Sequence, residues 1–578
     1  MKSVCVLVIG GALLAACADL ENLTGGGDDG PRRSSASCTA PDKPNCGAHG
    51  RCDDRGGTAR CICDEGFRGA SCNECADGLQ DNDKDGTCSP TCEKAGLTCA
   101  THARCDDGTG TAQCACAPGY ELTSNACAWR GGPKAAGWKL EGGATSGPGV
   151  ARFAGEPACS GAAGIVQEFP MPRAADAEPF ALEITATATS DEPITLGVYV
   201  NGVFIARPTM SENGTKTKVC LGDRAYGGDV ELALRPRSDG ACSANARLDI
   251  AEVAIVPDAS CPVAGTFPNG DFESTGNWIP STIAGNAGST AEVATNVGTG
   301  GGRAGRLATT NVCQEPHLDA TMSAPSVAME RVALAFTYKG TNAEAMTLSS
   351  GRLSSSASTF GEVSANATFQ SAKLCMPEWA KGVIVPVTFT LEDFGGACAE
   401  PNLREFVFDD VAFVSEPSCP KEAFVLDGGF EGSTTVSPWI LRHPTPYSTV
   451  AEIRRDGGAR TGAGYLELGS GQACQDATAR QTITVPQPRG NEGPAVKLWY
   501  RLPTVAKAAF STTPGGGLTA TAAWSKKTIC LDPKRAGEPL VFTIEASGGS
   551  GTCATTFSVE RLEVDDVEVT TDAGCKPR

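Results

Sequence analysis

Histidine is scarce, with four in 578 residues, which leaves little imidazole for acid–base catalysis or zinc. Positive charge is short too. Lys and Arg number 48 against 67 Asp and Glu, and a net charge of −19 excludes a surface built to neutralise nucleic-acid phosphates. After residue 16 no apolar run approaches the roughly 18 residues of a membrane-spanning helix. The chain contains no His-Glu-x-x-His and no Gly-x-Ser-x-Gly, so neither a zinc-protease helix nor a serine-hydrolase elbow is present. Charged residues make up 20% and Gly and Pro number 70 and 36, a composition of neither a disordered acidic tail nor a collagen. Cysteine, by contrast, is abundant. Of 28 cysteines, fourteen fall within Cys38 to Cys127, a density that belongs to an exported, oxidising setting. The length suggests about four domains.

Lys2 precedes an apolar run of about 13 residues, Val4 to Ala16, too short to span a bilayer and suited to a secretory signal. It closes on Leu14-Ala15-Ala16-Cys17, which resembles the bacterial lipoprotein box at all four positions. That resemblance implies cleavage after residue 16 and lipidation of Cys17, with Cys5 lost in the signal and the protein held in the cell envelope, at the outer membrane or cell surface, by its acyl chains. The other reading is an ordinary cleaved signal ending Ala-x-Ala. Residues 17–37 include Gly25-Gly26-Gly27-Asp28-Asp29-Gly30 and read as a flexible tether.

Cys38, Cys46, Cys52, Cys61, Cys63 and Cys72 are separated by 7, 5, 8, 1 and 8 residues; Cys92, Cys99, Cys105, Cys114, Cys116 and Cys127 by 6, 5, 8, 1 and 10. Arg51-Cys52-Asp53-Asp54 repeats as Arg104-Cys105-Asp106-Asp107, His49 as His102, and Gly66-Phe67 as Gly119-Tyr120. These duplicated sets, residues 38–72 and 92–128, resemble epidermal-growth-factor-like modules. The resemblance implies Cys38–Cys52, Cys46–Cys61, Cys63–Cys72, Cys92–Cys105, Cys99–Cys114 and Cys116–Cys127. It does not extend to the calcium-binding subclass, because Ala59 and Ala112 stand where that subclass has an aromatic. Between the modules, residues 73–91 form a loop that a Cys75–Cys88 bridge would close. Its Asp81, Asp83 and Asp85, followed by Gly86, offer either a weak calcium site or a solvated acidic turn.

The last twelve cysteines fall into three sets of four at a period of about 155–160 residues, so one domain occurs in triplicate. The copies span 129–262, 263–420 and 421–578. Short alternating segments recur in register, Val332 to Lys339 with Val496 to Arg501, Phe369 to Cys375 with Trp524 to Cys530, Val387 to Leu391 with Leu540 to Ile544, and Phe406 to Val414 with Leu562 to Val569. Helical periodicity is missing, so the expected fold class is mainly β, with the small modules followed by three antiparallel β-sandwiches. Strand-like segments between the second and third and between the third and fourth cysteines hold those pairs some 20 Å apart, beyond disulfide reach. Provided no loop doubles back, the bridges are Cys159–Cys242, Cys220–Cys261, Cys313–Cys398, Cys375–Cys419, Cys474–Cys553 and Cys530–Cys575.

The second copy opens Asn269-Gly270-Asp271-Phe272-Glu273 and closes Phe408-Asp409-Asp410-Val411; the third opens Asp427-Gly428-Gly429-Phe430-Glu431 and closes Val564-Asp565-Asp566-Val567. Over roughly 263–578 this resembles the galactose-binding-like jelly rolls of many carbohydrate-binding modules. The resemblance implies a structural Ca2+ held by Glu273 with Asp410 or Asp409, and by Glu431 with Asp566 or Asp565. Solvated strand ends are the plain alternative. The first copy has Ala251 and Glu252 in place of the acidic pair and a poor opening at Lys139-Leu140-Glu141-Gly142, so its site is expected to be lost.

No catalytic set emerges. His317 and His443 sit at non-equivalent points, the run Gly298 to Gly302 reads as a turn, and Asp409 and Asp410 would point to opposite faces of a strand. Sugar recognition wants exposed aromatic faces beside polar groups. Trp278 and Trp439 read as core, whereas Trp379, Tyr338 and Tyr500 are candidates for a ligand face. The expected role is therefore non-enzymatic adhesion or recognition, with a glycan or a surface protein as partner, a lipid anchor in the membrane, and no nucleic acid. The alternatives are a structural or assembly subunit of an outer-envelope complex and, third, a polysaccharide-processing enzyme.

Overall fold

Alternating apolar and polar residues pleat into strands that bury one face, and this pattern governs the chain after about residue 138. The computed structural model describes residues 37–576 except 42, 124–125, 148, 215, 239–241, 282–287, 311–314, 326–330, 342–344, 351–357, 393–402, 434, 444–447, 550–551 and 554. The signal at 1–16, Cys17, all but the end of the tether, and the pair Cys313–Cys398 lie outside the described residues. The protein is mainly β; among the described residues the longest helix is the single turn Cys92–Ala95.

Two compact units divide the chain. One holds the described residues up to 99 together with 105–115. Its ribbons are short, Gly50–Asp53 against Arg60–Cys63, Phe67–Arg68 against Glu74–Cys75, and Leu79–Gln80 against Ser89–Pro90. Ribbons this small bury too little apolar area to hold alone, and disulfides join Cys38 to Cys52, Cys46 to Cys61, Cys63 to Cys72, Cys75 to Cys88, Cys92 to Cys105 and Cys99 to Cys114. The His49 ring stacks on Phe67 with centroids 3.9 Å apart.

The other unit comprises 100–104 and 116 onward. Cys116 bonds to Cys127 beside the hairpin Tyr120–Thr123 and Ala126–Trp129. His102 stacks on Tyr120 at 4.5 Å, repeating the His49–Phe67 stack. Trp129 donates its indole N–H to the Ile255 carbonyl (2.7 Å), and Tyr120 and Trp129 pack on Phe180. This hairpin therefore shares the core of the first sandwich.

Each sandwich is two antiparallel sheets. In the first, the order Lys139–Glu141, Gly164–Met171, Gly228–Arg237, Thr195–Val200, Val203–Ala206 faces Ala151–Ala154, Arg247–Pro257, Phe180–Thr189, Lys216–Cys220. The third repeats this plan. Ile440–Arg442, Asp476–Thr484, Pro539–Ser547, Ala509–Thr513 and Gly516–Gly517 face Thr449–Arg454, Tyr465–Gln472, Thr556–Asp572, Gly493–Leu502 and Thr521–Cys530. In the second sandwich, Arg404–Ser415 likewise pairs with both Ala304–Thr309 and Val332–Thr341. Inward residues of alternate parity fill each core, for example Phe272, Trp278, Phe389 and Phe408 in the second and Phe430, Trp439 and Phe542 in the third. Disulfides join Cys159 to Cys242, Cys220 to Cys261, Cys375 to Cys419, Cys474 to Cys553 and Cys530 to Cys575, with Cα atoms 5.0 to 5.8 Å apart.

The sandwiches also meet one another. Val436–Ser437, just before the third sandwich's first sheet, pairs with Ser358–Ser364 of the second. Thr359 N–H donates to Thr482 Oγ1 (2.7 Å) and Trp379 N–H to Thr484 Oγ1 (2.9 Å). Arg224 of the first sandwich pairs with Glu378 of the second (3.3 Å), and Glu538 of the third is buried against Tyr199, Arg207 and Arg237 of the first.

Candidate functional site

The opening and closing segments of the second and third sandwiches meet at equivalent places. Val411 N–H donates to Gly270 O (2.9 Å), and Val567 N–H to Gly428 O (2.8 Å), so the opening segment is stitched to the closing strand. Only glycine permits that approach, because a Cβ on Gly270 or Gly428 would lie 1.8 or 1.9 Å from the Val411 or Val567 carbonyl oxygen. Asp409 accepts the Thr299 N–H at Oδ2 (2.9 Å) and the Asp410 N–H at Oδ1 (2.8 Å), while Glu273 accepts the Arg303 N–H (2.8 Å). In the third copy Asp565 accepts from Arg460 and Thr461 N–H (2.8 and 3.1 Å) and from Asp566 N–H (2.7 Å). Glu431 there accepts from Ala463 and Gly464 (2.8 and 2.9 Å). The glycine run near residue 300, read from sequence as a turn, is a turn whose Thr299 N–H caps the buried Asp409 carboxylate.

Three non-glycine residues per junction adopt left-handed backbone, Asn269, Phe272 and Asp410 in one copy and Asp427, Phe430 and Asp566 in the other. Such strain persists only where the surroundings over-determine it. Burial holds the Asp409 carboxyl above its ordinary range, and the neighbouring Asp410 and Glu273 add to the shift. Burial and Asp566 do the same for Asp565. The copies differ in compensation. In the third, Arg460 pairs with Asp566 and Arg455 lies 3.8 Å from Glu431; in the second, no described cation forms an ion pair with Glu273, Asp409 or Asp410. Asp427, which the sequence reading passed over, is raised by burial, and its Oδ2 is buried without a hydrogen-bond partner. Its alignment with Asn269 was the available signal.

Among the described residues, only Asp81, Asp83 and Asp85 bring three carboxylate ligand atoms within 4.8 Å of one another. Asp81 takes the Gly86 N–H (3.3 Å) and Asp85 takes the N–H and hydroxyl of Thr87 (2.8 and 2.6 Å). Those Thr87 bonds hold the Asp85 carboxyl below its ordinary range.

The aromatic candidates are not on a ligand face. Tyr338, Trp379 and Tyr500 are 2%, 3% and 7% exposed and belong to the cores of the second and third sandwiches. Tyr338 and Tyr500 share strand parity with Phe336 and Leu498, so the pleat turns them inward. Trp379 packs on Phe360 with centroids 4.8 Å apart.

An open cavity of about 860 Å³ instead lies where the three sandwiches meet. Asn201 and Gly202 come from the first, Glu378 from the second, and Gln487, Lys497, Trp499, Lys526 and Asp566 from the third. A second cavity of about 450 Å³ shares Asn201 and Glu378 and continues past Arg224, Tyr226 and Lys381. Gln487 donates to Gly202 O (2.8 Å), and the Arg460 guanidinium sits 3.8 Å over the Trp499 ring. Lys526 and Glu568 are exposed, which leaves donors and acceptors facing the groove.

No protein-family profile matches the chain. The mouse protein Stabilin-2 is 30% identical over a stretch covering 14% of this chain and 5% of that protein; the chain thus spans a small fraction of its length. Among solved structures, the tandem CBM22-1–CBM22-2 domains of Paenibacillus barcinonensis Xyn10C are 15% identical and cover 48% of this chain and 93% of that one, with a TM-score of 0.20. TmCBM61 in complex with β-1,4-galactotriose is 16% identical, covering 26% and 98%, with a TM-score of 0.19. The family 11 carbohydrate-binding module of Clostridium thermocellum Lic26A-Cel5E is 12% identical, covering 26% and 95%, also at 0.19. The disulfide-rich N-terminal region fits epidermal-growth-factor-like modules, and its bridge density fits an oxidising environment. Among the described residues no helix is long and apolar enough to cross a membrane.

Proposed function

We propose that this chain is a non-catalytic recognition lipoprotein of the cell envelope. Cys17 carries the lipid anchor, and the three sandwiches bind a glycan or a surface protein. The observation that carries this reading is the groove to which all three sandwiches contribute. Its lining combines the amides of Asn201 and Gln487, the ammonium groups of Lys497 and Lys526 and the carboxylates of Asp566 and Glu568, a donor-and-acceptor set suited to a hydroxyl-rich chain. Those side chains bind and orient; none is a histidine, serine or cysteine. Calcium at Glu273 with Asp409 or Asp410, and at Glu431 with Asp565 or Asp566, would act as a stiffener. The paired left-handed residues and buried acids support that assignment.

Glycan-array screening of the mature protein tests the reading. Binding to a glycan is expected, weakened about tenfold by Lys526→Glu with the melting temperature unchanged. The contacts that fasten the sandwiches together favour a second reading, a structural or assembly subunit of an outer-envelope complex. Absence of binding to every glycan, with co-purification of an envelope partner, would select it.

A further inference from the structure

Between the first and third sandwiches, three guanidinium groups surround one carboxylate. Glu538 is 2% exposed. Its Oε1 accepts from the Tyr199 hydroxyl (2.7 Å) and Arg207 Nη2 (2.5 Å), and its Oε2 from Arg237 Nη1 (3.2 Å) and Arg535 Nε (3.1 Å). A carboxylate offers about four lone-pair positions, and these donors fill them. The three arginines bring three positive charges, of which Glu538 cancels one. Arg235 adds a fourth, 5.6 Å over the Tyr199 ring, and its carboxylate partner is the half-exposed Glu141 at 3.7 Å. Arg207 Nε is buried with no hydrogen-bond partner.

The surplus is thus local and positive in a chain whose net charge is −19. A junction that only fastened two domains would pair its charges, because even a partly buried cation is costly to leave uncompensated. The arginine side chains are also reachable from solvent, at 22%, 25% and 28% exposure for Arg207, Arg237 and Arg535. We propose that this cluster is an anion-binding site, in which a second carboxylate or a sulfate group docks beside Glu538 on the N–H groups of Arg207 and Arg237 that Glu538 leaves unused, with Arg535, whose Nη2 donates to Pro539 O (2.9 Å), adding its charge. Guanidinium forks match the oxygen spacing of such groups. None of Arg207, Arg237, Arg535 and Glu538 lines the groove, although Gly537 does, and the proposal does not depend on what the groove binds.

Calorimetric titration of the intact protein with inorganic sulfate, at constant ionic strength with chloride as the replaced ion, should give saturable one-site binding. Sulfate should also slow phenylglyoxal modification of Arg207, Arg237 and Arg535, mapped by peptide mass spectrometry, while the exposed Arg55 reacts unchanged. Arg207→Gln should weaken sulfate about tenfold; the shielding measurement on the unmutated protein stands even where that variant misfolds. An oligouronate that displaces sulfate assigns the anion to an acidic glycan, whereas shielding by sulfate alone assigns a free small anion, and either outcome keeps the site. Heat that never saturates, with the three arginines modified at equal rates with and without sulfate, would overturn it.

Discussion

Tyr199 and Glu538 lie 339 residues apart and meet at 2.7 Å across the boundary between the first and third sandwiches. The carboxylate is withdrawn from water, so its partners are what keep it charged. Removing it should leave the guanidinium groups of Arg207, Arg237 and Arg535 without their common acceptor. Glu538→Ala is expected to cost about 3–5 kcal/mol, the usual price of orphaning buried charge, and Tyr199→Phe about 1–2 kcal/mol for one hydrogen bond to a charged acceptor. Urea unfolding measures both, and an unchanged midpoint for Glu538→Ala would show that the junction carries no stability.

The same carboxylate sets an acid limit. Burial pushes the Glu538 pKa up, but Arg207, Tyr199 and Arg237 outweigh it and hold the pKa below the ordinary 4.5. A group whose folded pKa is depressed stabilises fully above its unfolded value and loses that contribution as pH falls through the folded one. Interdomain cleavage by an acid-tolerant protease should therefore accelerate below about pH 4.5. In Glu538→Gln this component of the pH response should vanish; an unaltered acid profile in that variant would place the sensitive group elsewhere.

Asp409 and Asp565 have the opposite sign. Their folded pKa values lie above the ordinary 3.8, so without a cation their contribution weakens as pH rises from that value through the folded pKa. A bound divalent cation would reverse this. Calcium should raise the melting temperature more at pH 7 than at pH 4, and Glu273→Ala should reduce that rise more than Glu431→Ala. The third junction already has Arg455 and Arg460 beside its acids; the second has no such described partner. Differential scanning calorimetry with and without chelator decides it, and equal calcium responses in the two variants would contradict the asymmetry.

Strand positions were legible because they rest on local alternation. The segment Val332 to Lys339 becomes Val332–Thr341, and Leu562 to Val569 extends to Thr556–Asp572. Trp278 and Trp439 lie in the core, as their place after the opening strand suggests. The alternation Leu334, Phe336, Tyr338 and Val496, Leu498, Tyr500 also carried the inward parity of the two tyrosines, which chemical type alone obscured. Trp379 is different. Its backbone N–H is taken by Thr484 of another sandwich, and no local pattern announces a contact 105 residues away. The Glu538 cluster and the groove arise for the same reason, since docking between copies follows from surface shape that a single repeat does not encode.

Disulfide connectivity gives a direct chemical check. Non-reducing peptide mapping should recover Cys375 with Cys419 and Cys530 with Cys575, which the structure joins, and should also find Cys313 linked to Cys398. Replacing Cys530 and Cys575 together by serine should lower stability by about 2–4 kcal/mol, through release of a long loop in the unfolded chain. A peptide pairing Cys313 with any other cysteine would break the threefold equivalence of the sandwiches.

Buried aromatics and groove residues should separate cleanly under mutation. Trp379 is 3% exposed and packed on Phe360, so Trp379→Ala should cost about 3–5 kcal/mol by opening a cavity, whatever it does to ligand. Lys526 is exposed on the groove wall; its replacement by Glu removes no packing and should leave stability within about 0.5 kcal/mol. Its effect should fall on ligand affinity alone. If Trp379→Ala kept full stability and lost glycan binding while Lys526→Glu bound normally, the ligand would sit on the second sandwich at Trp379 and not in the groove between the three.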